Sequence, residues 1–126
     1  MDKAVIIIII LVILAGVGFW VFQSGAFTPA KPIVVPQGII LFYGDGCPHC
    51  KVVDDFVTQN KIEEKVKFTK LEVWYNKDNQ AIISQVAQKC GISANTVGVP
   101  FLYDGTKCYE GQDEVTNFFK AQAGIK

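Results

Sequence analysis

Residues 38–50 read GIILFYGDGCPHC and decide the fold. The first six form a continuous apolar run, which predicts a central strand covered on both faces. Beyond residue 50 the apolar residues recur with helical spacing, which predicts a helix that ends near Asn60. Its predicted buried stripe consists of Val52, Val53, Phe56 and Val57. Cys47 and Cys50 therefore stand where a buried strand turns into a helix.

A thiol in the first turn of a helix has distinct chemistry. Unpaired N–H groups and the positive end of the helix dipole stabilise a Cys47 thiolate and lower its pKa, and the thiolate is the nucleophile of disulfide exchange. Cys50, one turn further on, can close an intramolecular disulfide. Pro48 suits this turn because the N–H that it lacks would have no partner there. A protonated His49 adds positive charge beside Cys47. We predict that these four residues are catalytic.

A Cys-x-x-Cys pair between a buried strand and a helix resembles the redox motif of the thioredoxin superfamily. The Pro-His dipeptide within it is similar to that of the DsbA family. Two half-buried structural thiols, or a zinc knuckle, are the alternatives. The resemblance implies a thioredoxin-like fold in which Val99-Pro100 forms a cis peptide bond beside the redox pair. In that fold the backbone of Val99 would pair with an extended substrate segment.

Apolar spacing and turn residues predict the remaining elements. They are a strand at 66–74, a helix capped by Asp78-Asn79, strands at 101–103 and 106–109 around Asp104-Gly105, and a helix from Asp113-Glu114. The second helix is predicted to bury Ile82, Ile83, Val86, Ala87 and Cys90, and to stop at Gly91. The order predicts an α/β fold, βαβαββα, with a four-stranded mixed sheet and helices on both faces.

The amino-terminal segment has a different composition. Ala4 to Phe22 are 19 residues without a charged or polar side chain. At about 1.5 Å per residue they would span roughly 28 Å, close to the hydrocarbon thickness of a bilayer. We predict an uncleaved transmembrane helix; the alternative is a secretory signal peptide with Ser24-Gly25-Ala26 as its cleavage site. Lys3 lies nearer to the segment than Lys31 does, which predicts a cytoplasmic amino terminus.

These observations divide the chain into three parts. Residues 1–22 are predicted to be the transmembrane anchor, residues 23–37 a semi-rigid proline-rich linker, and residues 38–126 the redox domain. Both interpretations of the first segment place that domain outside the cytoplasm, at the cell membrane if the anchor is kept. Four cysteines in a domain of this size suit an oxidising compartment.

Charge favours neither a nucleic acid nor an anionic surface as a partner. From residue 38 onward there are 10 Lys against 11 Asp plus Glu, and the chain contains no Arg. Without guanidinium groups, bidentate recognition of phosphates or bases is not available. We predict no nucleic-acid partner, no cofactor and no metal. A metal-handling module built on Cys47, His49 and Cys50 is an alternative that lacks a fourth ligand.

A second resemblance concerns glutathione. Residues 111–114, Gly-Gln-Asp-Glu, resemble the segment through which glutaredoxins receive the amino end of glutathione. Glutaredoxins also place a basic residue shortly before the first cysteine, whereas residues 44–46 offer none. Thioredoxins have a tryptophan and a buried aspartate where this chain has Gly46 and Leu41. A glutathione-dependent, glutaredoxin-like reductase is therefore an alternative to the leading prediction.

Cys90 and Cys108 form a second pair, 18 residues apart in sequence. We predict that they meet as a structural disulfide, which for such a loop contributes about 3 kcal/mol. A second redox relay and two buried free thiols are the alternatives.

The leading prediction is a membrane-tethered thiol:disulfide oxidoreductase that acts on protein cysteines outside the cytoplasm. Cys47 attacks a substrate disulfide, or is attacked by a substrate thiolate, and Cys50 resolves the mixed disulfide. A lowered Cys47 pKa makes the disulfide more oxidising and favours its donation. The predicted partners are cysteine-containing polypeptides and a membrane redox protein that recycles the pair. A noncatalytic interaction domain is the alternative from a different class.

Overall fold

A computed structural model of the 126-residue chain describes residues 2–23 and 31–126. The chain forms two compact units, Met1–Pro32 and Ile33–Lys126. The predicted boundaries after residues 22 and 37 stay predictions. The predicted cleavage site Ser24-Gly25-Ala26 lies outside the described residues, as does the first part of the predicted linker.

The first unit contains helix α1, Lys3–Gln23. Its stretch Lys3–Trp20 has a mean hydropathy of 2.7, and none of that stretch is buried. By length and composition α1 could cross a membrane, and a signal sequence has the same two properties.

The second unit is built on a four-stranded mixed sheet. Its strands are β1 Ile39–Tyr43, β2 Phe68–Glu72, β3 Phe101–Tyr103 and β4 Cys108–Glu110, in the spatial order β2-β1-β3-β4. β1 and β2 are parallel, and the pairs β1–β3 and β3–β4 are antiparallel. β1 is therefore a central strand, as its apolar run predicts.

Four helices accompany this sheet. They are α2 Pro48–Gln59, α3 Ile62–Lys65, α4 Lys77–Lys89 and α5 Gly111–Ala123. The short α3 was not predicted, because four residues are too few to show a helical period. Without α3 the order is the predicted βαβαββα, and the thioredoxin-like fold is confirmed.

The side chains of β1 alternate between two hydrophobic clusters. Leu41 packs into a cluster that includes Val53 and Val57 of α2 and Phe119 of α5. Ile40 and Phe42 pack into a second cluster, with Ile83, Val86 and Ala87 of α4. Because successive side chains of a strand point to opposite faces, α2 and α5 cover one face of the sheet and α4 covers the other. The carboxyl end of β1, which leads into Cys47, lies between these layers.

The second strand is shorter than the predicted 66–74. Val66 ends α3 instead, with its N–H donating to the Ile62 carbonyl at 2.8 Å. The strand itself begins at Phe68, which packs against the first cluster, while Leu71 packs against the second on the opposite face.

The predicted cap of the second long helix was wrong. Asn76, not Asp78-Asn79, caps α4, and its side chain accepts the Asn79 N–H at 3.1 Å. α5 begins at Gly111, two residues before the predicted start, so Asp113 and Glu114 lie in its first turn. The Glu114 carboxylate accepts the Glu110 N–H at 2.9 Å.

Val52 was also wrongly predicted to be buried. Its side chain is 47% exposed, while Cys50, Val53 and Val57 occupy the buried face of α2.

Candidate redox site

Cys47 lies at the amino-terminal cap of α2. Its backbone is extended, with φ −72° and ψ 118°, and its sulfur accepts the Cys50 N–H at 3.2 Å. Pro48 occupies the first helical turn, where no N–H is needed. The sulfur atom of Cys47 therefore meets the unpaired N–H groups and the positive dipole end of α2, which stabilise an anion.

Cys47 and Cys50 are joined by a disulfide, with their Cα atoms 5.2 Å apart. Both residues are largely buried, at 6% and 7% exposure, whereas Pro48 and His49 between them are exposed. A cleft of about 570 Å³ lies beside the pair and is lined by both cysteines, by the turn before them and by Asp54 and Lys70. Asp54 and Lys70 form an ion pair at this cleft.

Val99-Pro100 lies opposite the disulfide, and its peptide bond is cis. The Val99 carbonyl oxygen is 3.8 Å from the Cys47 sulfur. Pro100 is buried, and its carbonyl accepts the Gly111 N–H at 2.9 Å, which ties this segment to the start of α5. The structure thus brings together the two cysteines and the Val99 backbone, the arrangement that the resemblance implies.

His49 points toward α5. Its Nδ1 lies 2.8 Å from Gln112 Oε1, and in that pairing the ring nitrogen donates. The contact spans 63 residues of sequence, so no local pattern could have shown it. His49, Val99, Gln112 and Asp113 line a second cleft of about 480 Å³. Residues 111–114, which resemble a glutathione-binding segment, therefore lie beside the redox pair.

Glu72, the last residue of β2, is a site residue that the sequence analysis missed. Oε1 accepts the N–H groups of Trp74 at 2.7 Å and Asp45 at 3.3 Å. Oε2 accepts the N–H groups of Tyr75 and Asn76, each at 3.1 Å. One carboxylate thus ties the loop after β2 to the turn that precedes Cys47. An acidic residue at a strand end, followed by four residues without apolar alternation, was the available signal.

The charge of Glu72 is favoured by these contacts. Desolvation by itself would raise the pKa of Glu72, but the N–H groups of Tyr75, Trp74, Asp45 and Asn76 outweigh it and hold the pKa below its ordinary value. Glu72 is therefore an anion at neutral pH, and its four contacts are charge-assisted.

Cys90 and Cys108 are joined by a second disulfide, with Cα atoms 6.2 Å apart. Cys90 caps the carboxyl end of α4, and Cys108 begins the strand β4. The bond therefore connects the helix on one face of the sheet to its β4 edge. Within residues 2–23 and 31–126, no group of three or more His, Cys, Asp or Glu side chains could hold a metal ion.

These features define a thioredoxin-like domain with a disulfide-bonded Cys-x-x-Cys pair at a helix amino terminus. No family model matches the chain, and no curated protein matches it. Several solved structures are similar in fold, among them three glutaredoxins. Wheat glutaredoxin is 22% identical, with a TM-score of 0.48, and the match covers 74% of this chain and 79% of that one.

The other two comparisons give similar values. A buckwheat glutaredoxin–glutathione complex is 22% identical, with 70% of this chain and 71% of that chain covered and a TM-score of 0.46. Oxidised glutaredoxin 2 from Chlamydomonas reinhardtii is 20% identical, with 71% and 84% covered and a TM-score of 0.46. These likenesses concern the fold. The chemistry must be argued from the residues of this chain.

Proposed function

We propose that the chain is a membrane-tethered thiol:disulfide oxidoreductase that exchanges disulfides with polypeptides outside the cytoplasm. The observation that carries the proposal is the placement of the Cys47 sulfur. It lies at the amino terminus of α2, bonded to Cys50 and 3.8 Å from the Val99 carbonyl oxygen. A sulfur at that position is activated as a thiolate and lies next to a backbone segment with which an extended polypeptide can pair.

The exchange proceeds in two balanced steps. In the reducing direction the Cys47 thiolate attacks one sulfur of a substrate disulfide, and the other substrate sulfur leaves as a thiolate. The Cys50 thiol then loses its proton to water, and its thiolate attacks the Cys47 sulfur. The mixed disulfide breaks, the second substrate thiolate leaves, and two electrons have passed to the substrate. In the oxidising direction the same steps run backwards.

The proposed setting depends on the first unit. α1 has the length and composition of a membrane-spanning helix, and Lys3 is its first residue, on the proposed cytoplasmic side. A cysteine pair that works outside the cytoplasm needs recycling there. We propose that a membrane redox protein performs it, by removing or supplying two electrons through Cys47 and Cys50.

The direction of the exchange is set by the reduction potential of the pair. Stabilisation of the Cys47 thiolate by the helix amino terminus stabilises the reduced form, which makes the disulfide more oxidising. The Pro-His dipeptide supports the same direction. We therefore propose that the chain donates disulfides to its substrates.

Equilibration with glutathione redox buffers tests this proposal. The fraction of Cys47–Cys50 disulfide, measured by thiol alkylation and mass spectrometry, is expected to follow one two-electron transition, more oxidising than about −270 mV. A transition near that value or below it would contradict disulfide donation. A pair that never interconverts would contradict the oxidoreductase itself. The matched control is a Cys90→Ala/Cys108→Ala chain, whose transition should be unchanged.

A glutathione-dependent reductase is the second candidate. The cleft lined by His49, Val99, Gln112 and Asp113 favours it, because this cleft adjoins the redox pair. Residues 44–46 supply no basic side chain for a glutathione carboxylate. A glutathione adduct on Cys47, rather than an adduct with a polypeptide, would distinguish this candidate.

A further inference from the structure

Trp74 is a partly exposed aromatic residue beside the turn that leads into Cys47. Its side chain lies against Gly44, so closely that a Cβ at position 44 would overlap the indole ring. The Gly44 carbonyl in turn accepts the Cys47 N–H at 3.1 Å. Trp74 is nevertheless 47% exposed, so a large apolar surface faces solvent next to the redox turn.

Trp74 is partly exposed although hydrogen bonds hold its backbone in place. The Trp74 N–H donates to Glu72 Oε1 at 2.7 Å, and the Trp74 carbonyl accepts from Gln80 Nε2 at 3.0 Å. The residue before it, Val73, is buried, and its N–H donates to the Tyr43 carbonyl at 2.9 Å. The backbone of Trp74 is therefore fixed on both sides, and its side chain is held in the exposed position.

An uncharged cleft of about 280 Å³ connects Trp74 with Val99. Its apolar lining, among the residues that the structure describes, consists of Val73, Trp74, Ile83, Ala94, Val97 and Val99. No charged side chain of the described chain lines it. Val99, one of its lining residues, also carries the carbonyl that lies 3.8 Å from the Cys47 sulfur. An apolar side chain entering it would bury its surface without displacing a charge.

We propose that Trp74 is a specificity-determining residue, which contacts an apolar side chain next to the cysteine of an extended polypeptide substrate. Glu72 is the positioning residue that holds Trp74 and the turn before Cys47 together. This inference rests on the proposed disulfide exchange and names the kind of sequence that the exchange selects. A polypeptide that pairs with the Val99 backbone places its flanking side chains along the same cleft.

Glu72→Gln removes the positioning contacts with little change of shape. A glutamine side chain offers one acceptor oxygen and an NH₂ donor, so it cannot accept N–H groups on both sides as the carboxylate does. The amide group would face the backbone N–H groups of Tyr75 and Asn76, or those of Trp74 and Asp45. We expect the Trp74 loop to leave the redox turn in this variant.

The test compares three disulfide substrates. Two are peptides that differ only in having Phe or Gly next to the disulfide cysteine, and the third is bis(2-hydroxyethyl) disulfide. We expect Trp74→Ala to lower kcat/KM for the Phe peptide about tenfold, through KM, as expected for a lost aromatic contact. Reaction with the Gly peptide and with the small disulfide should stay near that of the unchanged chain.

Glu72→Gln should lose the same preference for the Phe peptide over the Gly peptide, and the double variant should lose no more of that preference than either single variant, because Glu72 acts on it through Trp74. Asp104→Asn is the matched control. Asp104 accepts the N–H groups of Thr106 and Lys107 in the β3–β4 turn, at 2.8 and 2.7 Å, and so clamps a turn in the same way. We expect no change in substrate preference from this variant.

Several outcomes would overturn the inference. These are an unchanged Phe preference in Trp74→Ala, additive effects of Glu72→Gln and Trp74→Ala, and an equal shift of the preference in Asp104→Asn. In each case exchange with the small disulfide would persist, and the proposed function would stand. If the unchanged chain exchanged disulfides with none of the three substrates, the proposed function would be wrong, and so would the proposed contact of Trp74 with the substrate.

Discussion

A Cys47→Ser chain is expected to exchange disulfides with peptide substrates at least roughly a thousandfold more slowly, because its hydroxyl is not ionised at neutral pH and cannot form a disulfide. The expected loss is total within the limits of the assay, since Cys50 lies inside α2 rather than at its capping position. The measurement is the rate of peptide disulfide reduction with dithiothreitol as the electron source, corrected for the rate without protein.

Cys90→Ala/Cys108→Ala serves as the control for this loss. It removes two cysteines, as a Cys47/Cys50 double replacement does, but leaves the amino terminus of α2 and its redox pair intact. The control should keep the full exchange rate. Retained activity in Cys47→Ser, together with a loss in the control, would assign the chemistry to the second pair instead.

The Cys90–Cys108 disulfide is expected to be structural. Because it closes a loop with a sequence separation of 18, its removal should lower the free energy of unfolding by about 3 kcal/mol. The cause is a larger conformational entropy of the unfolded chain. Urea denaturation of Cys90→Ala/Cys108→Ala, at fixed redox state of Cys47–Cys50, measures the change.

The single variants Cys90→Ala and Cys108→Ala provide the comparison. Each breaks the same bond, so each should lose about as much stability as the double variant. A loss much smaller than this in all three would show that β4 and α4 are held by their packing alone. A loss of exchange activity without a loss of stability would favour a redox relay.

The redox pair and its surroundings were predictable because their signals are local. The apolar run of β1, the Cys-x-x-Cys spacing and Pro48 all lie within residues 38–50. The placement of Val99-Pro100 came from the resemblance. The structure brings it to 3.8 Å from Cys47 across 52 residues of sequence, a distance that no periodicity reports.

The features that the sequence did not show depend on side chains meeting across elements. Glu72 gathers N–H groups from two loops, one of them 27 residues away in sequence. His49 meets Gln112 only because α5 packs beside α2. A carboxylate at a strand end is usually a solvated surface residue, so its type alone carries little information.

The central claim is that Cys47 exchanges disulfides with polypeptides outside the cytoplasm, and trapping with Cys50→Ser tests it most directly. Without the resolving thiol, Cys47 should remain bonded to its substrates as mixed disulfides. Intact cells that carry this variant are first treated with a membrane-impermeant thiol reagent. Their membranes are then isolated, and the membrane proteins are separated on non-reducing gels. The matched control is Cys47→Ser/Cys50→Ser.

We predict covalent complexes of the Cys50→Ser chain with other polypeptides, released by dithiothreitol and absent from the double variant. We also predict that the remaining free Cys47 reacts with the impermeant reagent in intact cells. Absence of polypeptide complexes, or a Cys47 that the reagent reaches only after the cells are broken, would contradict the account.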